Sequence, residues 1–352
     1  MALPENPGFH RLRVRAVVDE TRDARSIVFD VPAHLSERFA YRPGQFVTLR
    51  LPVGDRVVKR CYSMSSAPGL DAWPRITVKR VAGGIGSNWV CDRLQAGSEV
   101  EVMPPGGVFT PASLDTDFVL MAGGSGITPV FSILRSALQA GRGRVLLLYA
   151  IRDDRSVIFR DALRQLAAEH AERLTVIHWL DSVQGLPSVS QLAELVRPWH
   201  AALEQPQAVQ TFLCGPTPFM EGAAAAMARA GLPEAGVHTE RFVSLPDEGA
   251  APVAGAPAPA EDATLNVELD GQTHRLTCRA GQTLLEAALA AGLNAPSSCQ
   301  AGLCASCMCQ VLEGSVHLRH NEALDAKDLA RAWTLACQAV PTSAAVRIKF
   351  PG

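Results

Sequence analysis

The chain has 352 residues, 47% of them apolar and 19% charged, with a formal net charge of −2. This is an ordinary globular composition with material for two or three domains, and its near-neutral charge gives no ground for binding nucleic acid or a bilayer. Residues 1–15 hold Pro4 and Pro7 and no long apolar run, so they do not read as a signal peptide. The most apolar stretch, residues 145–151, is far too short to span a membrane. A cytoplasmic protein, monomeric by default, is the expectation.

In chain order, residues 12–18, 26–31, 45–51, 75–81 and 99–103 are short apolar runs separated by Gly and Pro turn signals. Several are rich in Val and Ile. Short, evenly spaced strands predict an antiparallel β-barrel over residues 1–112. Within it, Arg60, Cys61, Tyr62 and Ser63 follow a strand. An Arg neutralises phosphate, a Tyr stacks on a ring or ribose, and a Ser donates to a flavin ring atom. Ordinary barrel surface accounts for the same residues equally well. Further on, Val78, Lys79 and Arg80 lead into Gly83, Gly84, Gly86 and Ser87, a glycine-rich, phosphate-compatible turn.

From residue 113 to 246 the pattern changes. Apolar runs at 118–121, 145–150, 175–180 and 210–213 alternate with helical stretches at 129–140, 158–169, 190–196 and 218–230. This alternation predicts an α/β parallel sheet. Gly123, Gly124 and Gly126 lie where the first strand hands over to a helix. Glycines let a ligand approach, and a helix N-terminus offers N–H groups to a pyrophosphate. Thr128 is placed to cap that helix, with Pro129 in its first turn. The run is not G-x-G-x-x-G, and a tight turn without a ligand is the alternative. Cys214, Gly215 and Pro216 follow a later strand. They would stand at the sheet edge where open α/β sheets bind ligands.

Residues 247–262, rich in Ala, Pro and Gly, read as an exposed linker. Beyond it, in residues 263–352, runs 265–269 and 274–278 flank Asp270 and Gly271, a hairpin signal. Residues 283–291 read as a helix stopped by Gly292. Cys299, Cys304 and Cys307 then stand in a C-x4-C-x2-C spacing, with 29 residues between Cys307 and Cys337. This is the plant-type pattern for a [2Fe–2S] cluster, in which four thiolates complete two tetrahedral irons. A zinc site usually needs two close cysteine pairs, and Cys337 has no near neighbour. Cys309 falls outside the spacing and reads as a buried non-ligand.

The barrel with R-x-Y-S, the GGSGITP turn and the CGP turn, in this order, resemble the ferredoxin–NADP reductase superfamily. With the C-terminal plant-type ferredoxin domain, the chain resembles the reductase component of a multicomponent oxygenase. The segments at 178–187 and 240–245 look most like reductases of 3-ketosteroid 9α-hydroxylase systems, with phenylacetyl-CoA epoxidase reductase a near neighbour. The resemblance implies FAD and a [2Fe–2S] cluster, with NADH or NADPH as co-substrate. Arg60 would hold the flavin pyrophosphate, Tyr62 would pack on the flavin, and Ser63 would lie near its N5. Val78, Lys79 and Arg80 would contact the flavin through backbone, and Gly86 and Ser87 would take its phosphate. Gly123, Gly124, Gly126, Thr128, Cys214, Gly215 and Pro216 would receive the nicotinamide dinucleotide, with Thr128 and Cys214 nearest the nicotinamide. Glu240 and Phe242 would approach the flavin. Ser63, Thr128, Cys214 and Glu240 are thus the candidate catalytic residues, and Cys299, Cys304, Cys307 and Cys337 the candidate iron ligands.

A two-electron donor and a one-electron acceptor need a flavin between them and a cluster after it. The sequence lacks a paired C-x-H and C-x2-H and any evident pair of E-x-x-H helices, so a separate terminal oxygenase is the expected partner. A flavin enzyme acting directly on a small substrate, and a non-catalytic redox sensor, are the rival readings. FMN in place of FAD stays open. So does the nucleotide: Arg152 and Arg155 could grip a 2′-phosphate that Asp153 and Asp154 would repel.

Overall fold

The computed structural model describes residues 8–242, 261–297, 299–302, 305–321, 323–324 and 326–351. Cys304 and nearly all of the expected linker lie outside the described residues. Two compact units form. The first is built on a six-stranded and a five-stranded sheet, and the second on a five-stranded sheet with a two-stranded ribbon.

The six-stranded sheet comprises β1 (His10–Thr21), β2 (Ala24–Asp30), β3 (Phe46–Val53), β4 (Arg56–Ser63), β5 (Arg75–Lys79) and, after helix α1 (Ile85–Arg93), β6 (Glu99–Gly106). Their order is β4-β3-β6-β1-β2-β5. In β1 the period-two pattern is plain: Leu12 and Val14 are buried while Arg11, Arg13 and Arg15 face out, as a half-buried strand requires. A single Met64–Ile76 bridge joins the chain just past β4 to β5, bringing the two ends of the sheet together. Along this seam the hydroxyls of Ser26, Thr77 and Ser65 form a buried chain with 2.7 Å links. The sequence reading missed α1, taking its start for a simple turn.

The second sheet comprises β7 (Phe118–Gly123), β8 (Val145–Ile151), β9 (Leu174–Leu180), β10 (Gln210–Cys214) and β11 (Val237–Glu240). All its pairings are parallel, in the order β11-β10-β7-β8-β9. Between strands run α2 (Ile127–Ala140), α3 (Arg160–Glu169), α4 (Asp181–Gln184), α5 (Val189–Ala201) and α6 (Thr217–Ala230). Phe118 and Leu120 pack with α2 and α3 on one face. Val119 and Met121 pack with α5 and α6 on the other. Burial on both faces explains why these strands read as unbroken apolar runs. α5 extends past the expected end at residue 196 and runs through Pro198. Buried Trp199, and His200 bonded to the Pro206 carbonyl at 3.0 Å, hold that last turn, so tertiary packing overrides the proline.

The barrel and the parallel sheet are bolted together within the first unit. Ser132 on α2 donates to the Ser66 carbonyl at 2.7 Å, and Arg135 pairs with Asp71.

The second unit contains β12 (Ala263–Leu269), β13 (Gln272–Cys278), α7 (Leu284–Ala290), β14 (Met308–Glu313), β15 (Val316–Leu318), α8 (Ala326–Ala330), β16 (Trp333–Leu335), β17 (Ala339–Pro341) and β18 (Ala345–Lys349). Its main sheet runs β13-β12-β18-β14-β16, with β12 and β18 parallel and the other pairs antiparallel. The hairpin turns at Asp270 (φ 51°) and Gly271 (φ 76°), both left-handed, as a two-residue type I′ turn demands. Thr283 caps α7 reciprocally with Glu286. Among the described residues, no helix is long and apolar enough to cross a membrane.

Candidate functional site

The strand order reverses direction at β7, which has β8 on one side and β10 on the other. A crevice for ligands therefore opens beyond the carboxyl ends of β7 and β10. The turns carrying Gly123, Gly124 and Gly126 and carrying Gly215 and Pro216 meet there. A Cβ on Gly126 would stand 2.1 Å from the Cys214 carbonyl oxygen, and one on Gly215 2.9 Å from Gly123 Cα. A Cβ on Gly123 would stand 2.9 Å from the Phe219 and Pro216 side chains. These three glycines let two backbone turns lie against each other, a packing role beyond the ligand clearance expected from sequence. Gly124 differs: its φ is +55°, and a Cβ there would meet only Lys79 Nζ, at 3.9 Å.

Thr128 does not cap α2, because the cap position is Gly126 and no side chain fills it. Thr128 sits inside the first turn, buried, its hydroxyl donating to the Ser125 carbonyl at 3.1 Å. No side chain caps this 14-residue helix; the Ile127 N–H is taken by the Gly124 and Ser125 carbonyls, and Pro129 has none to offer. Tyr149, wholly buried, donates its hydroxyl to the Gly124 carbonyl at 3.1 Å.

Cys214 ends β10 in register with Glu240 of β11. Burial, and secondarily the Glu240 charge, push its thiol well above the usual range, so it is a neutral, apolar-shielded group. From the barrel, Ser63 donates to Glu240 Oε2 at 3.4 Å. Ser63, Cys214 and Glu240 are thus brought together, with Thr128 on the adjoining turn. Phe242 is 48% exposed just past β11.

On the barrel side, Arg60 lies across the first turn of α1. A Cβ on Gly86 would be 2.6 Å from Arg60 Cγ. No side chain caps α1, so a guanidinium and free helix N–H groups converge as a phosphate cradle needs. Ser87 Oγ accepts from Val81 N at 3.1 Å and closes the Gly83–Gly84 turn. Tyr62 is half-buried, and burial raises its hydroxyl pKa, consistent with an uncharged stacking face. β5 ends the sheet order, so Val78 and Lys79 pair with β2 along one edge only. Arg80 uses its N–H on the Asp23 carbonyl at 2.7 Å and its side chain on Asp92 at 2.6 Å.

In the second unit, Cys299, Cys307 and Cys337 are all buried. Backbone N–H groups point at two of the sulfurs: Ala301 N to Cys299 Sγ at 3.4 Å, and Cys337 N to Cys307 Sγ at 3.5 Å. Such bonds stabilise thiolates and suit an iron–sulfur cluster. Gln300, Gly302 and Ala305 all have positive φ, which curls the chain around the cysteines. Gln338 Nε2 donates to the Gln300 carbonyl at 3.0 Å. Cys309 is fully buried on β14, opposite Thr334 and within the apolar core, and its thiol pKa is raised, chiefly by that burial.

Two features escaped the sequence reading. Asp181, which begins α4 beyond β9, has a buried Oδ1 without a hydrogen-bond partner, and burial raises its carboxyl pKa. Phe159 has a left-handed backbone.

Residues 11–110 match an oxidoreductase FAD-binding domain family, residues 120–225 an oxidoreductase NAD-binding domain family, and residues 267–342 a 2Fe-2S iron–sulfur cluster binding domain family. The chain is 50% identical over 345 residues to the ferredoxin reductase component of 3-ketosteroid-9-alpha-monooxygenase from Rhodococcus rhodochrous, covering 96% of each. It is 32% identical to one of the subunits of 1,2-phenylacetyl-CoA epoxidase from Escherichia coli, covering 97% of this chain and 98% of that one. Among solved structures, phthalate dioxygenase reductase superposes with a TM-score of 0.57 at 25% identity, covering 97% of this chain and 98% of that one. An intact type IV self-sufficient cytochrome P450 monooxygenase shares the fold, with a TM-score of 0.64 at 23% identity; this chain is matched over 99% of its length and spans 43% of that one. The chain belongs to the family of NAD(P)H-dependent flavin and [2Fe–2S] reductase components that supply electrons to a separate oxygenase.

Proposed function

We propose that this chain reduces the terminal oxygenase of a 3-ketosteroid 9α-hydroxylase-type system, drawing its electrons from NADH. The observation that carries the pathway is identity of 50% spread over 96% of both chains. Bound FAD would accept a hydride from the nicotinamide and the cluster would carry electrons onward singly. The chain itself binds, orients and shields. Arg60, Gly86 and Ser87 hold the flavin phosphates; Tyr62 packs on the ring system, and Val78, Lys79 and Arg80 line its edge. The turns at Gly123, Gly124, Gly126, Gly215 and Pro216 take the dinucleotide. Thr128 and Cys214 flank the nicotinamide and keep water from it. Ser63, its hydroxyl turned to Glu240, lies beside the flavin N5 and orients the ring there, and Phe242 covers the flavin face. Cys299, Cys304, Cys307 and Cys337 ligate the cluster.

Two observations support NADH. Arg152, the residue that follows β8, is held by Asp153 at 3.4 Å and lies 3.8 Å from Asp23. The partnerless Oδ1 of Asp181 suits a ribose hydroxyl and repels a phosphate. The barrel takes residues 1–112, the nucleotide-binding part 113–246, the linker 247–262 and the ferredoxin part 263–352. A monomer in the cytoplasm completes the reading.

The test is anaerobic titration of the purified protein with NADH and with NADPH, followed by turnover with a purified 3-ketosteroid oxygenase. Bleaching of flavin and iron–sulfur bands by NADH, and hydroxylation of the steroid, are expected. Equal preference for NADPH would overturn the nucleotide assignment. Flavin and cluster reduction with no electron delivery to that oxygenase would overturn the pathway.

A further inference from the structure

We propose that Phe159 is a positioning residue for hydride transfer, one that fixes the spacing between the Ser63 segment of the barrel and the glycine turn of the nucleotide-binding sheet. The inference rests on the placement of flavin at Ser63 and of nicotinamide at that turn given above.

Phe159 has φ 61° and ψ 29° at the cap of α3. A bulky residue in the left-handed region is an outlier that surrounding structure must enforce. Here the enforcement comes from three sides. Its ring stacks on Phe131 of α2 with centroids 4.2 Å apart and planes 17° apart, one turn from the start of the helix that follows Gly126. The guanidinium of Arg75, on barrel strand β5, lies 5.5 Å from the same ring. At its N-terminal side, Ile158 N donates to Tyr149 Oη at 3.4 Å, and that hydroxyl donates onward to the Gly124 carbonyl.

Arg75 also looks the other way. It donates to the Ser65 carbonyl at 3.1 Å and to Ser65 Oγ at 3.3 Å, two residues beyond Ser63. A continuous run of contacts therefore leads from the Ser63 segment through Arg75 and the Phe159 ring to α2, and through Ile158 and Tyr149 to Gly124. Both ends of this run are reacting-atom neighbours, whereas Phe159 touches neither. Because the interior around these rings is close-packed, removing one of them lets its neighbours shift. Reacting atoms must meet within a few tenths of an ångström of their productive separation, so small displacements are costly in rate. The Ser132–Ser66 bond and the Arg135–Asp71 pair also bind barrel to sheet, although Arg135 itself lies 5.6 Å from the Phe131 ring, so Phe159 variants should remain folded with the two halves joined.

The experiment is anaerobic stopped-flow reduction of the holoprotein flavin by NADH and by NADH deuterated at nicotinamide C4, in F159A, F159Y, R75Q and F159A/R75Q. For F159A and R75Q the limiting rate at saturating NADH should fall about 10- to 100-fold. The apparent Kd for NADH should change less than about twofold, and the deuterium effect should rise as the chemical step becomes limiting. F159Y, which keeps the ring, should restore the rate, and the double variant should be no slower than the slower single. A lowered melting temperature with an unchanged limiting rate and isotope effect would overturn the proposal and leave Phe159 a packing residue. S63A measured alongside separates the underlying placement: if it too left the limiting rate untouched, the assignment of the site itself would fall.

Discussion

The glycine turns of the parallel sheet and the cysteine loop, each proposed to meet a cofactor, shape their backbones by different means. The turns are shaped by absent side chains. Gly126 and Gly215 sit where any Cβ would strike neighbouring backbone, so the two loops interlock before a ligand arrives. The cysteine loop instead carries side chains at two of its left-handed positions, Gln300 and Ala305, conformations costly for such residues. It draws support from N–H···S bonds and from Gln338. The turns are set by packing; the cysteine loop is held by polar clamps.

The sharpest break of this contrast is Cys337→Ser. It should abolish the broad iron–sulfur absorption and collapse cytochrome c reduction, since even outer partners of a metal site typically cost about 10- to 100-fold in affinity. Flavin reduction by NADH should survive; its loss would show the two sites to be interdependent. Gly126→Ala is the mirror image. A contact of 2.1 Å with the Cys214 carbonyl forces the turns apart, so flavin reduction should slow about 100-fold while the as-purified cluster spectrum is unchanged. Gln338→Ala should leave a folded, loaded protein that surrenders iron to a chelator about 10-fold faster. Release at the original rate would remove Gln338 from the clamp.

The smallest effect concerns pH. Burial, aided by Glu286 and Asp262, pushes the Cys278 thiol up to about 11 from 9.0. The fold therefore favours the neutral thiol. Stability from this group is fully present below pH 9 and is lost as pH rises toward 11. Cys278→Ala should cost about 1 kcal/mol at pH 8 yet flatten the alkaline fall in melting temperature of the ferredoxin unit. An equally steep fall in the variant would place the alkaline sensitivity elsewhere.

Much of this was legible in the residues. The cysteine spacing, the Asp270–Gly271 turn and the alternation of 118–230 are local signals, and β12, β13, β8, α2 and α6 fall within a few residues of expectation. α1 was invisible because its sequence, with Gly86, Ser87 and Asn88 in the first turns, has no periodic apolar face. α5 outruns the expected 190–196 because the cost of Pro198 is offset by the burial of Trp199 and the His200–Pro206 bond. The packing role of Gly123, Gly126 and Gly215, the Ser63–Glu240 contact and the Phe159 stack join residues 28 to 177 positions apart in the chain. No window of sequence contains both partners, so periodicity and turn chemistry cannot report them.

The parallel pairing of β12 with β18, from Thr264–Ala345 to Glu268–Lys349, also bears on biogenesis. β18 lies at the centre of its sheet, flanked by β12 and β14, yet it leaves the ribosome after all four candidate ligand cysteines. Until it does, the sheet lacks its middle and the thiols have no finished enclosure. Long-range closure of this kind is slow, so the nascent ferredoxin unit passes through an interval in which its cysteines are synthesised but unprotected. Cluster delivery, or a reducing milieu, must cover that interval.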